Sequence, residues 1–333
     1  MHLPLIFTIS AFHAYAKPLN AYLLQQETSN SSQHSFFSTN DNKAKSGTSL
    51  KSAYTLKRVG AGKNNVVQGI AIDHKAKYLY TINVIGTPSK GVINRYRYDQ
   101  TETKTAIDAQ EPSDYIGHQG VTVEPQSSKL WASAGSIVKN HGWYAVRFNY
   151  HANAQPKNMQ EVKLFGKGYS KGTNSMPTFS PDGKYLVARS AIKKDGQSYN
   201  VIRVFDLNKI NLDSQKDLSN NYLYEWNVNL DLTPKNFPFQ GMATDGKYVY
   251  MISGYGTANN NKLQVYTLQG ELVQKLQNVT VGKEQALELR SDNHWEPEGL
   301  AIANNPTMNL YMIFATGEKG RRKAFVYSVN INE

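Results

Sequence analysis

The stretch NHWEPEGLAI contains an imidazole and two carboxylates, His294, Glu296 and Glu298, which together could hold a divalent ion. A hard cation such as calcium requires several oxygen ligands in one place. Three similar phrases elsewhere in the chain carry glutamine where Glu298 stands, at Gln68, Gln119 and Gln240. No HExxH, nucleophile-elbow or P-loop pattern occurs. The sequence therefore predicts no catalytic residue, no metal site and no cofactor, and a metal-dependent hydrolase is kept as an alternative.

The repeated phrase consists of a polar residue, a glycine and a short apolar run. It occurs as VVQGIAID, GHQGVTVE, FPFQGMATDG and HWEPEGLAI, and a degenerate copy, MPTFSPDGKYLV, has Pro177 in place of the polar residue. The five copies recur roughly every 50 to 60 residues, and further strand-like segments follow each one. A period of this length built from strands is typical of propeller blades of four strands each. We therefore predict an all-β fold, a five-bladed β-propeller.

Closure of the ring is predicted from the strands left over at the two ends of the repeat. The last copy runs to Glu333 with only three strand segments, while a spare strand, SAYTLKRV, precedes the first copy. Pairing of this strand with the last blade would leave no exposed sheet edge. We predict one propeller domain over residues 51–333, closed by the N-terminal strand. A sixth blade within residues 207–239 is the main alternative.

The repeated glycines mark the centre of this predicted ring. The first strand of each propeller blade lines the central channel, and a glycine at its start lets neighbouring backbones approach closely. We predict that the residues before these glycines form a polar ligand-binding ring at one channel mouth: Gln68, Gln119, Gln240 and Glu298. The alternative is that they only seal the channel by hydrogen bonding. The acids that end the first strands lie at the opposite face, away from Glu298: Asp73, Glu124, Asp182 and Asp245.

The loops between second and third strands should open on the same mouth, and they are basic. Their cations are Lys90, Lys139, Lys193, Lys194, Lys319, Arg321, Arg322 and Lys323, with Lys262 just after the fourth loop. Only Asp195 and Glu318 oppose them. Aromatic residues available to stack on sugar rings are His118, Trp143, Tyr255, His294 and Trp295. We predict that this face binds an anionic polymer; ordinary solvated turns are the alternative.

The composition is consistent with an anionic partner. Lys and Arg number 37 against 26 Asp and Glu, which leaves a formal charge of +11 and favours an acidic polymer or surface. The basic groups surround a mouth rather than forming a long stripe, so nucleic acid is not the predicted partner. Because the chain has no cysteine, disulfides and thiolate metal sites are excluded.

The N-terminal residues predict export. An apolar run precedes the small-residue pattern Ala14-Tyr15-Ala16, as in a signal peptide comprising residues 1–16. Residues 17–50 are rich in Ser, Asn and Lys and are predicted to be a flexible leader. No later stretch has 18 uninterrupted apolar residues, so no transmembrane segment is predicted. We expect a secreted protein.

Several phrases together resemble a known family. HGWYAVRF, FGKGYSKGTNSMPTFSPDGKYLVARS, VIRVFDL, FPFQGMATDGKYVYMISGYGT and WEPEGLAI are similar to the helveticin J family, the class III bacteriocins of lactic acid bacteria. The resemblance covers roughly residues 55–331. More distantly, the polar-glycine phrases resemble the propellers of phage receptor-binding proteins and of a teichoic-acid-associated protein. The resemblance implies a secreted antibacterial protein that recognises cell-wall glycopolymer, and it supplies no catalytic residues.

Taken together, these features predict a secreted, non-enzymatic bacteriocin active against related Gram-positive bacteria. Its propeller mouth is expected to bind an anionic, teichoic-acid-like wall polymer. A wall-binding or adhesion propeller without lethal activity is the first alternative, and the metal-dependent hydrolase is the second.

Overall fold

The structure is a computed structural model. It describes the following residues: 54–98, 103–228, 238–255, 261–277, 279–290, 294–304, 306–318 and 320–331. The predicted signal peptide (1–16) and leader (17–50) lie outside these residues, and the boundaries proposed for them stay predictions.

The first three blades are four-stranded antiparallel sheets. Blade 1 consists, from the channel outward, of β2 (Val67–Asp73), β3 (Tyr78–Ile85), β4 (Lys90–Arg97) and β6 (Asp108–Ala109). Blade 2 consists of β7 (Ile116–Val123), β8 (Leu130–Ala134), β9 (Tyr144–Asn149) and β10 (Lys157–Lys163). Blade 3 consists of β11 (Thr178–Phe179), β12 (Tyr185–Lys194), β13 (Gln197–Asp206) and β14 (Tyr224–Asn227).

Blades 4 and 5 complete the ring. Blade 4 consists of β15 (Phe239–Thr244), β16 (Tyr248–Ser253), β17 (Lys262–Thr267) and β18 (Leu272–Leu276). Blade 5 contains β19 (Trp295–Asn304), β20 (Met308–Thr316) and β21 (Lys323–Asn330), joined by β1 (Tyr54–Lys57) and β5 (Thr103–Thr105). The first strands contact one another in circular order, β2 to β7, β11, β15, β19 and back to β2. The prediction of a five-bladed propeller is confirmed.

The N-terminal strand closes the ring as predicted. β1 pairs antiparallel with β21, with Tyr54 opposite Val326 and Leu56 opposite Ala324. On its other side β1 pairs in parallel with β5, a strand from the connection between β4 and β6. The sequence did not indicate this fifth strand. Blade 5 is therefore held together by strands from both ends of the chain and from blade 1.

The alternative of a sixth blade is wrong for the part of residues 207–239 that the structure describes. That part holds a 3-10 turn at Leu207–Lys209, the outer strand β14 and the first residue of β15. The other helices within the described residues are short: a 3-10 turn at His141–Trp143 and α1 (Lys283–Glu288).

The hydrophobic core is divided among the five interfaces between neighbouring blades. Each interface holds one cluster of buried side chains. Their large buried members include Tyr96, Trp131, Phe148, Met251 and Trp295. Each blade packs between two others, so its middle strands are buried on both sides. This explains why strands such as β16 are almost continuously apolar.

Candidate binding face at the channel mouth

All first strands begin on one face of the propeller, which we call the mouth face. The residue pairs Val67–Asn83, Ile116–Ala134, Phe239–Ser253 and Trp295–Thr316 place the start of a first strand beside the end of the second strand. The connections from second to third strands therefore lie on the mouth face. In blade 3 this connection is the hairpin with Lys194 opposite Gln197. We call the ring formed by the starts of the first strands the hub. The prediction that the hub and the connections from second to third strands share one face is confirmed.

The polar-glycine phrase forms a β-bulge at the hub. In four blades the pairing of first and second strands shifts register at this phrase: Val67/Ile70, Ile116/Val121, Phe239/Gly241 and Pro297/Gly299. A bulge bends its strand and redirects a side chain. The repeated phrase thus encodes a local bend at the narrowest part of the channel, in addition to marking the start of a blade.

The hub glycines allow neighbouring backbones to touch. A Cβ on Gly241 would lie 2.6 Å from Gly299 Cα, and one on Gly299 would lie 3.0 Å from Gly69 Cα. A Cβ on Gly120 would lie 2.6 Å from Met176 Cα. Such distances leave no room for a side chain. The predicted reason for these glycines is therefore confirmed.

Polar side chains connect blades 2, 4 and 5 across the mouth. Gln119 Nε2 donates to Gln240 Oε1 at 2.7 Å, and Gln240 Nε2 donates to Glu296 Oε1 at 3.0 Å. Gln240 Nε2 also donates to the carbonyl of Gly254 at 2.9 Å. Glu296 Oε2 in turn accepts a hydrogen bond from Arg322 Nη1. Two of the predicted ring members, Gln119 and Gln240, therefore bond to each other, and Glu296 rather than Glu298 continues the network.

Glu298 lies below this network and is almost completely buried, with 2% of its surface exposed. It borders a cavity of about 10 Å³ at the centre of the hub, which is room for about one water molecule. Burial, followed by the nearby Glu296 carboxylate, raises the pKa of Glu298 well above its usual value, and Arg322 partly opposes this rise. Gln68 is also buried. Neither side chain is open to a polymer at the surface.

The structure corrects the predicted stacking residues. Trp295 is 1% exposed and packs in the cluster between blades 4 and 5, because its side chain faces the neighbouring blade. Trp143 is half-buried and donates from Nε1 to the Tyr169 carbonyl. The side chain of His118 is exposed, although partial desolvation by neighbouring protein atoms lowers the pKa of its imidazole. Tyr255 is exposed on the mouth face.

Several predicted cations are neutralised or buried. Lys90 pairs with Asp114 at 3.2 Å, and Arg322 pairs with Glu296. The expectation that only Asp195 and Glu318 oppose the basic loops is therefore wrong, because strand pairing brings these two further acids beside them. Lys262 is 8% exposed, and Lys319 lies outside the described residues. Exposed cations from the prediction are Lys139, Lys193, Lys194, Arg321 and Lys323.

Two exposed lysines on the mouth face were missed by the sequence analysis. β10 runs antiparallel to β9 and ends on the mouth face, so the connection from β10 to β11 crosses that face. It carries Lys167 and Lys171, both exposed. The sequence analysis also did not identify Tyr115, an aromatic residue that is 40% exposed. Its backbone carbonyl accepts a hydrogen bond from Gly135 N at the start of the β8–β9 connection. The repeated Lys-Gly pairs in FGKGYSKG were the available signal for the lysines.

The acids on the opposite face have structural partners. Glu124 accepts hydrogen bonds from Arg147 and Trp131, and Asp245 accepts one from the Tyr250 hydroxyl. Among the residues that the structure describes, no group of three or more His, Asp or Glu side chains is arranged to hold a metal ion. No described helix has the length and apolar character needed to cross a membrane.

Comparison with solved structures finds a fold similar to that of this chain in a phage tail fiber. The tail fiber of Staphylococcus aureus phage P68 superposes with a TM-score of 0.59 at 19% identity, covering 85% of this chain and 52% of that chain. The present chain thus spans about half of that fiber protein, and the likeness shows a shared fold. A thermostable family-43 glycoside hydrolase gives a TM-score of 0.42 at 10% identity, covering 79% and 89% of the two chains. That likeness carries no functional conclusion.

Comparison at the sequence level is more specific. The chain has no significant match among curated proteins. Residues 66–328 match the family described as the phage 5-bladed beta propeller receptor binding platform domain. This match extends from the first strand of blade 1 to the last strand of blade 5, and it confirms the distant resemblance to phage receptor-binding propellers. The protein belongs to the family of phage five-bladed β-propeller receptor-binding platform domains.

Proposed function

We propose that this protein is a non-enzymatic binding propeller whose mouth face recognises an anionic glycopolymer on the bacterial cell surface. The observation that carries the proposal is the position of the exposed cations. All five lie at the mouth face, either on a connection from a second to a third strand or at the strand end next to it: Lys139, Lys193, Lys194, Arg321 and Lys323. Cations gathered on one face attract a polyanion and increase its rate of association. Membership in a receptor-binding family supports a binding role.

The direction of the chain supports the same face as the binding face. β21 runs from the mouth face to the opposite face, and β1 is antiparallel to it. Tyr54 therefore lies toward the opposite face, and so does Asn330. Both ends of the described propeller therefore lie away from the mouth face, which carries the basic loops.

The finer form of the proposal is a secreted, helveticin J-like class III bacteriocin that acts on related Gram-positive bacteria through a teichoic-acid-like wall polymer. Residues 1–16 would serve as its signal peptide. The shared phrases such as FPFQGMATDGKYVYMISGYGT support this form. A non-lethal wall-binding or adhesion propeller is the second candidate, and the family match, which concerns receptor binding, favours it.

The two forms differ in what happens after binding. Purified protein is added to a panel of Gram-positive strains, and viability and retention on isolated walls are measured in the same samples. Wall binding with loss of viability is the result expected for the bacteriocin, and wall binding with full viability would support the adhesion propeller. Added chelator should change neither result, because no metal is required. Absence of wall binding in every strain would overturn both forms.

A further inference from the structure

An arginine beside the hub is held entirely by neutral groups. Arg189 lies on β12, and its backbone N donates to the Ser175 carbonyl at 2.7 Å, next to the start of the first strand of blade 3. The residues that follow are Met176 and Pro177, where the repeated phrase lacks the glutamine or glutamate of the other blades. A guanidinium is therefore present in the sector of the hub that has no polar phrase residue.

Three contacts fix the orientation of this guanidinium. Nε donates to Asn200 Oδ1 at 2.8 Å, and Nη1 lies 3.5 Å from Met176 Sδ. The central carbon of the group lies 4.3 Å from the centre of the Phe239 ring, and Phe239 is the first residue of β15 in blade 4. Both Met176 and Phe239 are buried. The plane of the guanidinium is thus set at the interface between blades 3 and 4.

The charge of Arg189 has no counter-ion within the described part of the chain. Removal from water by the surrounding protein lowers the pKa of the Arg189 guanidinium to about 10. Four other arginines of the propeller each pair with a carboxylate: Arg95, Arg147, Arg203 and Arg322. A desolvated cation without a counter-ion destabilises the folded state. An anion from outside the chain would remove this unfavourable charge.

One edge of the guanidinium is open to such an anion. Arg189 is half-buried, and among the described residues Nη2 has no hydrogen-bond acceptor and is not enclosed. Nη1 has a second hydrogen besides the one directed to Met176 Sδ. A guanidinium binds a planar oxyanion through two parallel N–H···O bonds. The Nη1–Nη2 edge therefore has the geometry to hold two oxygens of one ligand.

The charge of the site matches a carboxylate. The side chains that contact the guanidinium are an amide, a thioether and an aromatic ring, so the site carries a single positive charge. A carboxylate has one negative charge and two coplanar oxygens. A phosphate monoester carries about −1.5 to −2 charges at neutral pH, and part of that charge would stay unpaired in a desolvated site.

We propose that Arg189 forms a binding site for a single carboxylate group at the interface between blades 3 and 4. The inference goes beyond the proposed function, because this site takes one compact anion and does not depend on the exposed cations of the loops. The carboxylate accepts two hydrogen bonds from the Nη1–Nη2 edge and supplies the missing counter-charge. It belongs either to a small organic acid or to an acidic sugar.

Asn200→Asp tests the site without removing Arg189. The substitution keeps the shape of the side chain and places a carboxylate at the acceptor position 2.8 Å from Nε. Because this internal carboxylate supplies the counter-charge, we expect Tm to rise by about 2–4 °C and the external carboxylate to bind poorly. Arg189→Gln is the second variant. Arg97→Gln, at the exposed far end of β4, is the control with the same loss of charge.

Binding of full-length protein to sodium acetate and to sodium D-glucuronate is followed through the NMR signal of the Arg189 Nε–H group and through Tm. Sodium chloride keeps the ionic strength constant, and D-glucose and sodium phosphate serve as comparison ligands. For Arg189→Gln, which lacks the reporting group, Tm is the measurement.

The wild type and Arg97→Gln should bind both carboxylates and should not respond to glucose. Loss of two charge-assisted hydrogen bonds should raise the Kd of Asn200→Asp and Arg189→Gln at least about tenfold. Similar Kd values for acetate and glucuronate would identify a small organic acid as the ligand, whereas much tighter binding of glucuronate would identify an acidic sugar.

Four results would overturn the inference. They are a wild-type Arg189 signal that neither carboxylate shifts, undiminished carboxylate binding by Asn200→Asp, a lower Tm for Asn200→Asp than for the wild type, and phosphate binding as tight as that of the carboxylates. Wall binding by the same proteins is measured separately. Its absence from the wild type while carboxylate binding persists would overturn the proposed function and leave the Arg189 site intact.

Discussion

At the scale of single residues, two carboxylates only two positions apart have opposite environments. Glu296 is bound by Arg322 and Gln240 near the surface of the mouth. Glu298 is the extra residue of the bulge, borders the closed hub and has no hydrogen bond among the described residues. A buried carboxyl without a partner is favoured in its neutral form. Glu298 is therefore a structural acid of the hub, and the exposed part of the site consists of other residues.

This environment predicts a pH-dependent effect of Glu298→Gln. Because the folded-state pKa is raised above the unfolded value, the stability contributed by the protonated carboxyl is present at low pH and lost as pH rises through the folded-state pKa. Glutamine removes this dependence. We expect equal Tm values for variant and wild type near pH 4 and a Tm higher by about 2–4 °C in the variant at neutral pH, corresponding to about 1 kcal/mol.

Thermal unfolding monitored by circular dichroism across this pH range measures the effect. Glu296→Gln is the matched control, and it should lower Tm because Arg322 loses its carboxylate partner. A lower Tm for Glu298→Gln at neutral pH would show that the Glu298 charge is compensated in the folded protein.

At the scale of elements, the bulged starts of the first strands determine how closely the blades meet. Glycine is required there because neighbouring first strands touch through their backbones, as at Gly241 and Gly299. The bulge also interrupts the alternation of side chains: Glu296 is paired before the register shift, and Glu298 is the extra residue within it. One short phrase therefore determines both the closure of the channel and the polar network at its mouth.

Gly241→Ala should destabilise the propeller. The added methyl group would meet Gly299 Cα at 2.6 Å, and overpacking of this kind costs roughly 1–3 kcal/mol. Gly166→Ala is the control, since its nearest neighbouring atom would be the mobile end of Lys163 at 3.9 Å. Urea denaturation should show a lower midpoint for the first variant and an almost unchanged midpoint for the second. Equal midpoints would contradict the close contact at the hub.

At the scale of the whole molecule, the ring is closed by non-covalent pairing of distant parts of the chain. β1 joins β21 on one side and β5 on the other. Leu56 from β1 is buried in the cluster between blades 5 and 1. The closing strand therefore contributes both hydrogen bonds and core packing, and it connects blade 5 to blade 1 mechanically.

Two truncations test this closure and the predicted domain boundary. Removal of residues 1–50 should leave Tm unchanged, because the predicted leader lies before β1. Removal of residues 1–60 deletes β1 and Leu56, whose loss from the core alone costs about 2–5 kcal/mol. We expect a Tm at least about 5 °C lower, measured by differential scanning calorimetry. A similar Tm for both truncations would mean that β1 is dispensable.

The sequence by itself determined the number of blades, because each copy of the repeated phrase, the degenerate one included, begins one blade, and the surplus N-terminal strand completes the last blade. It also determined that the connections from second to third strands share the mouth, since antiparallel pairing places alternate connections on one face. Tertiary structure alone decided which cations stay uncompensated: Asp114 reaches Lys90, and Glu296 reaches Arg322, only after folding. It likewise buried Trp295 and brought Lys171 beside the β8–β9 connection. Burial and ion pairing depend on distances between residues far apart in the chain, and a local pattern of residue types does not contain those distances.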